Sequence, residues 1–212
     1  MTKTRTITDI TPQEKRKDRF SIFLDGEFAF GLHQDVLLKS GIARGDELAE
    51  QHIETILQLE QQRAAKEKAY RLLAVRPRSK KELSDRLKLA GFNQNDINWV
   101  LDELVRLKLL NDTEFALMFA KNRMITKPCG PLLLRQELTQ KGISPRDIAH
   151  AIHEVYSEKS EYVIAREAAI KNKKKQVRLD EDKAKKRVTD FLMRRGFNWD
   201  IVNDIVENWD NL

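Results

Sequence analysis

Clusters of lysine and arginine are the side chains of this sequence with the clearest capacity for binding chemistry. One cluster surrounds the expected start of a helix at Ser79, and it consists of Arg76, Arg78, Lys80 and Lys81. Because the backbone amides at a helix start also attract anions, the cluster suits contact with phosphate groups or with an acidic protein surface. A solvated loop is the alternative. We favour binding, since four like charges near the positive end of a helix repel one another.

Two more basic groups follow along the chain. The first, Arg123, Lys127 and Arg135, flanks the pair Gly130-Pro131. It could form an equivalent patch, although Arg123 could equally support the loop by bonding its carbonyl groups. The second is a run of lysines, namely Lys171, Lys173, Lys174 and Lys175. Such runs are commonly just solvated, and contact with DNA or with a protein groove is the less favoured alternative.

Residue types suited to catalysis or metal binding are sparse. His150 and His153 lie three residues apart on an expected helix, without a third ligand nearby in the sequence. Cys129 has no evident base partner, and the acidic pair Asp180 and Asp182 lies among lysines as surface charge. No glycine-rich phosphate loop occurs. We therefore expect a non-enzymatic protein with no metal and no cofactor.

The chain has 212 residues and a net charge of +6, and its basic residues are unevenly distributed along the sequence. Residues 1–60 contain 8 Lys+Arg against 11 Asp+Glu, whereas residues 61–110 contain 12 against 6. An excess of this kind indicates an anionic partner, either nucleic acid or a protein–nucleic-acid assembly. Ordinary solubility charge explains the same numbers almost equally well.

The compartment follows from what the sequence lacks. No apolar run approaches the roughly 20 residues that span a bilayer, so we expect no membrane association. The segment MTKTRTITDI has no apolar core, which argues against a secretory signal. A single cysteine favours a reducing environment, and the expected location is the cytoplasm.

The N-terminal segment carries the clearest β signal. Asp25-Gly26 predicts a two-residue turn that places Phe23 opposite Phe28 and Ser21 opposite Phe30. We expect a further strand near Arg5–Ile10 alongside this hairpin and a charged connection over residues 14–19. Two helices should follow, with Gly41 ending the first over residues 35–39 and Asp46 capping the second over residues 46–59.

From residue 53 onward the pattern is helical. A long helix should end at Pro77, and a Ser79/Glu82 capping box should begin the next. The expected later helix starts are Asn93 or Asn95, Asn111, Pro131 after Gly130, Ser144 with Pro145, and Ser160. Trp99, Trp199 and Trp209 are expected in the core or in packing between repeats rather than stacked on nucleic-acid bases.

One pattern occurs three times in this helical part. Leu87 precedes Gly91 by four residues, as Leu138 precedes Gly142 and Leu192 precedes Gly196. The glycines lie 51 and 54 residues apart. A helical repeat of this length is typical of stacked arrays, which present long surfaces to large partners. We predict an N-terminal unit over residues 1–60 and three-helix repeats over residues 61–110, 111–159 and 160–212.

Several of these residues resemble the RecX family of recombinase regulators. In the first repeat the resemblance lies in Arg76-Pro77-Arg78-Ser79, Glu82-Leu83, Arg86-Leu87 and Gly91-Phe92. In the second it lies in Leu110-Asn111-Asp112, Phe115-Ala116, Arg123, Gly130-Pro131, Leu134, Glu137-Leu138 and Lys141-Gly142-Ile143. The hairpin SIFLDGEFAFG is similar to the N-terminal extension of some members, and the third repeat resembles the family through its spacing and Gly196-Phe197.

The resemblance implies a mainly α fold in which three tandem three-helix repeats form an elongated, curved array beside a small N-terminal β-hairpin and helix unit. It implies binding in the groove of the RecA–DNA filament, with DNA contacted directly or through the filament. Modulation of RecA, mostly inhibition, in DNA repair, recombination and the SOS response would follow. A closed array with polar ends separately suggests a monomer. The candidate contact residues are Arg76, Arg78, Lys80, Lys81, Arg86, Arg123, Lys127, Arg135, Lys141, Lys173, Lys174 and Lys175.

The alternative function is direct DNA binding by a helix-turn-helix unit. The helix expected over residues 95–108 would then read base edges through Asn98, Asp102 and Arg106, which is a thin set of polar readers. Sequence preference and a steep salt dependence on naked DNA would favour this alternative.

Overall fold

A computed structural model describes residues 4–212, and the chain divides into two compact units. The first unit contains Met1–Arg76 and Ser84–Leu104, and the second contains Pro77–Leu83 and Val105–Leu212. The first three residues, which belong to the predicted N-terminal unit, lie outside the described part. Each unit has its own buried core.

The first unit begins with an antiparallel sheet of four strands in the order β3-β2-β1-β4. The strands are β1 (Thr4–Gln13), β2 (Arg16–Leu24), β3 (Glu27–His33) and β4 (Glu47–Ala49). The expected strand beside the hairpin is confirmed as β1. Two residues, Glu14 and Lys15, connect β1 to β2, so the longer charged connection that we predicted up to Arg19 is wrong.

The hairpin between β2 and β3 turns at Asp25-Gly26 as predicted. Phe23 is opposite Phe28, and the two rings meet edge to face with centroids 5.9 Å apart. The register then shifts by one residue, so that Ser21 is opposite Gly31 instead of the predicted Phe30. The physical reason is a bulge, which the two-residue turn alone does not reveal.

Helix α1 (Gln34–Ser40) ends at Gly41, whose φ of 63° is the left-handed conformation that we predicted there. The predicted cap at Asp46 is wrong, because Glu47–Ala49 forms β4 against β1 before the next helix begins at Glu50. The Asp46 carboxylate accepts the amide of Ala43 at 2.8 Å and so closes the preceding turn instead.

Helix α2 (Glu50–Val75) is 26 residues long and ends just before Arg76 and Pro77, as predicted. A buried carboxylate joins it to the sheet: Glu60 accepts the guanidinium of Arg19 at 2.7 Å and the amide of His33 at 2.9 Å. The core of this part consists of Ile7, Ile22, Leu24, Leu32, Val36, Ile42, Leu48 and Ile56.

The helical part contains three tandem three-helix repeats. The first repeat adds α3 (Lys80–Leu89) and α4 (Gln94–Arg106) to the end of α2. The second consists of α5 (Asp112–Thr126), α6 (Pro131–Gln140) and α7 (Pro145–Glu158). The third consists of α8 (Glu161–Lys173), α9 (Glu181–Arg194) and α10 (Trp199–Glu207), followed by a short 3-10 turn at Trp209–Asn211.

The local signals that predicted these helices are present as hydrogen bonds. Ser79 Oγ accepts the amide of Glu82 at 3.1 Å, and Asn111 accepts the amide of Thr113 at 3.0 Å. Asn93, rather than Asn95, caps α4 by accepting the amide of Asp96 at 2.9 Å. Ser144 and Ser160 cap α7 and α8 as predicted.

Within the second unit, the repeats join through the ends of their middle helices. The start of α3 lies on the end of α6, where Ser79 Oγ donates to Lys141 O at 2.7 Å. The start of α6 lies in the same way on the end of α9, where the Gly130 amide donates to Arg195 O at 2.8 Å. In this unit α9, α6 and the first turn of α3 therefore follow one another head to tail, positive end against negative end.

Candidate partner-binding surface

The basic cluster at the start of α3 is engaged with the protein more than the sequence indicates. Lys81 Nζ donates to Gln140 O at 3.0 Å, and the Lys80 amide donates to Asp112 Oδ1 at 2.8 Å. The amide of Glu82 is taken by Ser79. The expectation that exposed amides would attract an anion here is therefore wrong for Lys80 and Glu82, since both amides have partners. Arg76 and the Lys80 side chain are solvent-exposed, and Arg78 is half-buried.

The Lys141 side chain belongs to the same junction. Its Nζ lies 2.7 Å from Glu82 Oε1 and 4.9 Å from the centre of the Phe119 ring. Glu82 is the third residue of α3, and Lys141 follows α6, so the ion pair links the two helix ends. A charge held in this way is less available to an external anion than an exposed lysine is.

Arg123 supports the loop between α5 and α6. Its guanidinium makes a two-pronged contact with Glu137, at 2.9 and 3.0 Å, and it also donates to the carbonyl of Lys127. The hydrogen bonds to Glu137 raise the pKa of Arg123 above its ordinary value. These contacts agree with the alternative interpretation of the sequence, in which Arg123 supports the loop by bonding a carbonyl group.

Lys173 is anchored at the far end of the third repeat. Its Nζ donates to Trp209 O at 2.7 Å and to Leu212 O at 3.2 Å, and it lies 4.6 Å from the centre of the Trp209 ring. The neighbouring Lys174 and Lys175 are exposed. Of the four lysines of this run, Lys173 is therefore structural, whereas Lys171, Lys174 and Lys175 face solvent.

Six other candidate cations have side chains that are exposed to solvent. In the second unit these are Lys80, Lys127, Arg135, Lys174 and Lys175, and in the first unit the candidate is Arg86. Across residues 4–212 none of their side chains takes part in an ion pair. These predicted contact residues are therefore accessible to an anionic surface.

Two tryptophans differ from the prediction. Trp209 is buried, as expected, but Trp99 is 41% exposed and Trp199 is 54% exposed, so the assignment of these two side chains to the core is wrong. Trp99 lies two residues after the buried Ile97, which turns it to the outer face of α4. That offset was readable in the sequence, and we missed it.

Trp99 borders a cavity of about 360 Å³ in the first unit. Tyr70 forms another part of its wall, with Lys66 Nζ lying 5.7 Å from the Tyr70 ring centre and 3.2 Å from Glu103. The charged lining is mixed and includes Asp35, Lys39, Arg63 and Glu67. Exposed aromatic side chains beside long cationic ones are common at protein interfaces.

The cysteine and the possible metal ligands lie in the part of the chain that the structure describes. Cys129 is buried, and burial raises the pKa of its thiol to about 11, so the reactive thiolate is scarce at neutral pH. No group of three or more metal-binding side chains occurs among residues 4–212. Over the same residues, no helix has the length and apolar character needed to cross a bilayer.

Models of one protein family match this chain in four consecutive segments. The regulatory protein RecX N-terminal domain matches residues 5–49, and the first, second and third RecX three-helix domains match residues 65–104, 111–152 and 160–206. Regulatory protein RecX of Listeria welshimeri is 31% identical over 196 residues, which are 92% of this chain and 72% of that protein. This chain belongs to the RecX family.

Other RecX proteins support the same assignment. Regulatory protein RecX of Bacillus licheniformis is 32% identical over 204 residues, covering 96% of this chain and 77% of that protein. A crystal structure of regulatory protein RecX superposes with a TM-score of 0.75 at 26% identity, over 96% of this chain and 99% of the other. RecX from Lactobacillus salivarius shares the fold, with a TM-score of 0.63 at 23% identity over 73% of this chain and 99% of the other.

Proposed function

We propose that this RecX family protein is a non-enzymatic regulator that binds the RecA–DNA filament and inhibits it. The observation that carries the proposal is the match of four successive segments to RecX domains, in a protein whose relatives are named regulatory proteins. The proposed consequence is lower ATP hydrolysis, strand exchange and co-protease activity of RecA.

The exposed cations supply the binding chemistry. We assign filament contact first to Lys80, Lys127 and Arg135 in the second unit, because they face solvent without an internal ion pair. Lys174 and Lys175 form a second group in the third repeat. Lys81 and Lys141 act mainly by holding the first and second repeats together, since each is bonded across their junction. Arg123 and Lys173 are bonded within the second and third repeats, which they stabilise internally.

The proposed mechanism is steric and electrostatic. Several cationic contacts on one protein add their effects, because each contact after the first is made at high effective concentration. A protein held along the filament then occupies space that incoming duplex DNA or a protein substrate needs. No single strong site is required, and no covalent step is involved.

The test is the DNA-dependent ATP hydrolysis of RecA from the same cell, measured while this protein is titrated in. We expect inhibition at substoichiometric or near-equimolar amounts. The triple variant Lys80→Glu, Lys127→Glu, Arg135→Glu should weaken inhibition by roughly tenfold or more while keeping the helical circular dichroism spectrum. A matched control reverses three exposed cations of β2 and its turn, Lys15→Glu, Arg16→Glu and Lys17→Glu.

The outcomes separate the hypotheses. Full inhibition by the folded triple variant would refute the contact assignment, while failure of the wild-type protein to alter ATP hydrolysis would refute regulation of RecA in this assay. Tight, sequence-dependent binding to naked DNA without any effect of RecA would instead support the helix-turn-helix alternative.

A further inference from the structure

The middle helices of the three repeats end in the same glycine cap. Each glycine has a positive φ: 90° at Gly91, 77° at Gly142 and 75° at Gly196. In each cap, the amide after the glycine donates to the carbonyl five residues earlier: Phe92 to Leu87 at 3.3 Å, Ile143 to Leu138 at 3.2 Å and Phe197 to Leu192 at 3.3 Å. The three helix ends are therefore built alike.

Two of these caps are covered by the start of another helix. At Gly142, a Cβ atom would lie 2.6 Å from Lys81 Cβ, and at Gly196 it would lie 2.3 Å from the Leu133 amide nitrogen. The carbonyl before each glycine accepts a hydrogen bond from the covering helix, through Ser79 in one case and Gly130 in the other. The cap is thus the receiving half of a junction that occurs twice in this chain.

The Gly91 cap is the open copy of that receiving half. Apart from Gly91 and its two chain neighbours, no residue has an atom within 4 Å of the place where a Cβ of Gly91 would be. Within the described chain, nothing donates to the carbonyl groups of Ala90 or Gly91. The side chain of Leu89 is 81% exposed beside this end, which is a large exposure for a leucine.

The opposite half of the junction is open at the start of α9. Residues 180–183 are all exposed, and the Asp180 carboxylate is bonded within its own helix, with Lys183 Nζ at 2.8 Å. Over residues 4–212, the backbone amide of Glu181 has no acceptor, whereas that of Asp180 is bonded to its own carboxylate. Among the three middle helices, α9 is therefore the one whose start is not docked on a cap.

The two open ends have opposite charge. The first turn of α9 carries Glu181 and Asp182, and the last turn of α3 carries Arg86 and Lys88. In a head-to-tail arrangement, the acidic turn would face the basic turn, and the unbonded amide of Glu181 would face the unbonded carbonyls of Ala90 and Gly91. This is the geometry that already joins α6 to α9 through the backbone of Gly130.

We propose that the start of α9 in one copy of this chain binds the Gly91 cap of α3 in a second copy. A second copy is the favoured occupant, because one molecule carries both complementary halves of a junction that the chain already uses twice. The interface is heterologous, so each added copy leaves one half free and association continues beyond the dimer. Self-association of this kind does not depend on the proposed action on RecA.

Analytical ultracentrifugation over micromolar to near-millimolar concentrations tests the proposal. We expect the mean mass of the wild-type protein to rise with concentration and to pass that of a dimer. Two variants block one half each: Lys88→Glu with Leu89→Asp blocks the cap, and Glu181→Lys with Asp182→Lys blocks the helix start. Each variant alone should associate at least about tenfold more weakly.

The mixture of the two variants gives the sharpest result. Each variant retains the half that the other lacks, so an equimolar mixture should form a one-to-one dimer that does not grow. The matched control is Leu38→Asp with Lys39→Glu, at the exposed end of α1 before another left-handed glycine, Gly41. This control should associate like the wild type.

Several results would overturn the proposal. A wild-type mass that stays at the monomer over the whole range would do so. So would unchanged association of either blocked variant, equal weakening by the Leu38 and Lys39 control, or a variant mixture that remains monomeric. Circular dichroism of each variant confirms beforehand that the fold is retained, and a variant that fails to fold is replaced by its single charge reversal.

Discussion

The contacts of Arg123 carry the strongest prediction about a single residue. Its side chain is 16% exposed and that of Glu137 is 25% exposed, so the pair is shielded from water more than surface ion pairs are. Replacing Arg123 with Ala leaves a half-buried carboxylate and a loop carbonyl without donors. We expect this to lower the free energy of unfolding by about 2–4 kcal/mol in urea denaturation.

Arg135→Ala is the control, because Arg135 lies exposed on the neighbouring helix. Its effect should stay within about 0.5 kcal/mol. Equal stability of the two variants would contradict the structural role of Arg123.

The hydrogen bonds of Asp147 predict a pH dependence. Ser144 and Thr113 donate to its carboxylate at 2.7 and 2.8 Å, and these bonds hold the pKa of Asp147 below its ordinary value. A lowered pKa in the folded state stabilises the protein above the unfolded pKa, and this contribution is lost as pH falls through the folded value. Ser144→Ala should therefore raise the pKa of Asp147, as measured by NMR titration, and reduce the stability difference between neutral and acidic pH. An unchanged titration curve would count against the assignment.

Cys129 provides a prediction about reactivity. Burial and the pKa of about 11 both suppress the thiolate, so a disulfide reagent should label the native protein very slowly at mildly alkaline pH. The same reagent should label the unfolded protein in guanidinium chloride rapidly and completely. Rapid stoichiometric labelling of the folded protein would show that the thiol is exposed.

At the scale of the elements, two of the glycine caps allow the cost of backbone strain to be distinguished from the cost of steric overlap when the glycine is replaced. A Cβ at Gly91 meets nothing, so Gly91→Ala should cost only the strain of a positive φ, about 1–2 kcal/mol. A Cβ at Gly196 would lie 2.3 Å from the Leu133 amide and 2.6 Å from its Cβ. Gly196→Ala should therefore cost at least about 3 kcal/mol, because strain and overlap add.

Chemical denaturation of the two variants measures that difference directly. Equal losses of stability would mean that the α6–α9 junction adjusts to the extra methyl group without resistance.

Elements defined by neighbouring residues were predictable from the sequence, and those defined by distant residues were not. The Asp25-Gly26 turn, the Gly41 cap and the Ser79 cap each depend on a few consecutive residues, and each was predicted correctly. Strand β4 escaped prediction because its three residues form a strand only through pairing with β1, more than 40 positions earlier. The start assigned to Asp46 was wrong for the same reason.

The candidate surface shows the same limit. Which residues are basic could be seen in the sequence, but not which of them are engaged. Lys141 pairs with Glu82, 59 positions away, and Lys173 is bonded to Trp209, 36 positions away. No local pattern encodes those contacts, so Lys141 and Lys173 were grouped with exposed lysines such as Lys175.

At the scale of the whole molecule, the net charge of +6 predicts a salt dependence. If several exposed cations share the filament contact, its affinity should fall by roughly tenfold or more as salt is raised from low to physiological concentration. Inhibition of RecA ATP hydrolysis, measured at several salt concentrations, reports this slope. The triple variant at Lys80, Lys127 and Arg135 should show a shallower slope than the wild type, whereas equal slopes would contradict the assignment.

The head-to-tail joining of α9, α6 and α3 has a consequence for how such chains are lengthened. Each junction uses one cap and one helix start, and every middle helix carries both. A duplicated gene segment that encodes one further three-helix repeat would therefore supply a middle helix whose start and cap both match those of its neighbours. Growth by tandem copying would require no newly invented interface, only the retention of a glycine at one end of the copied helix.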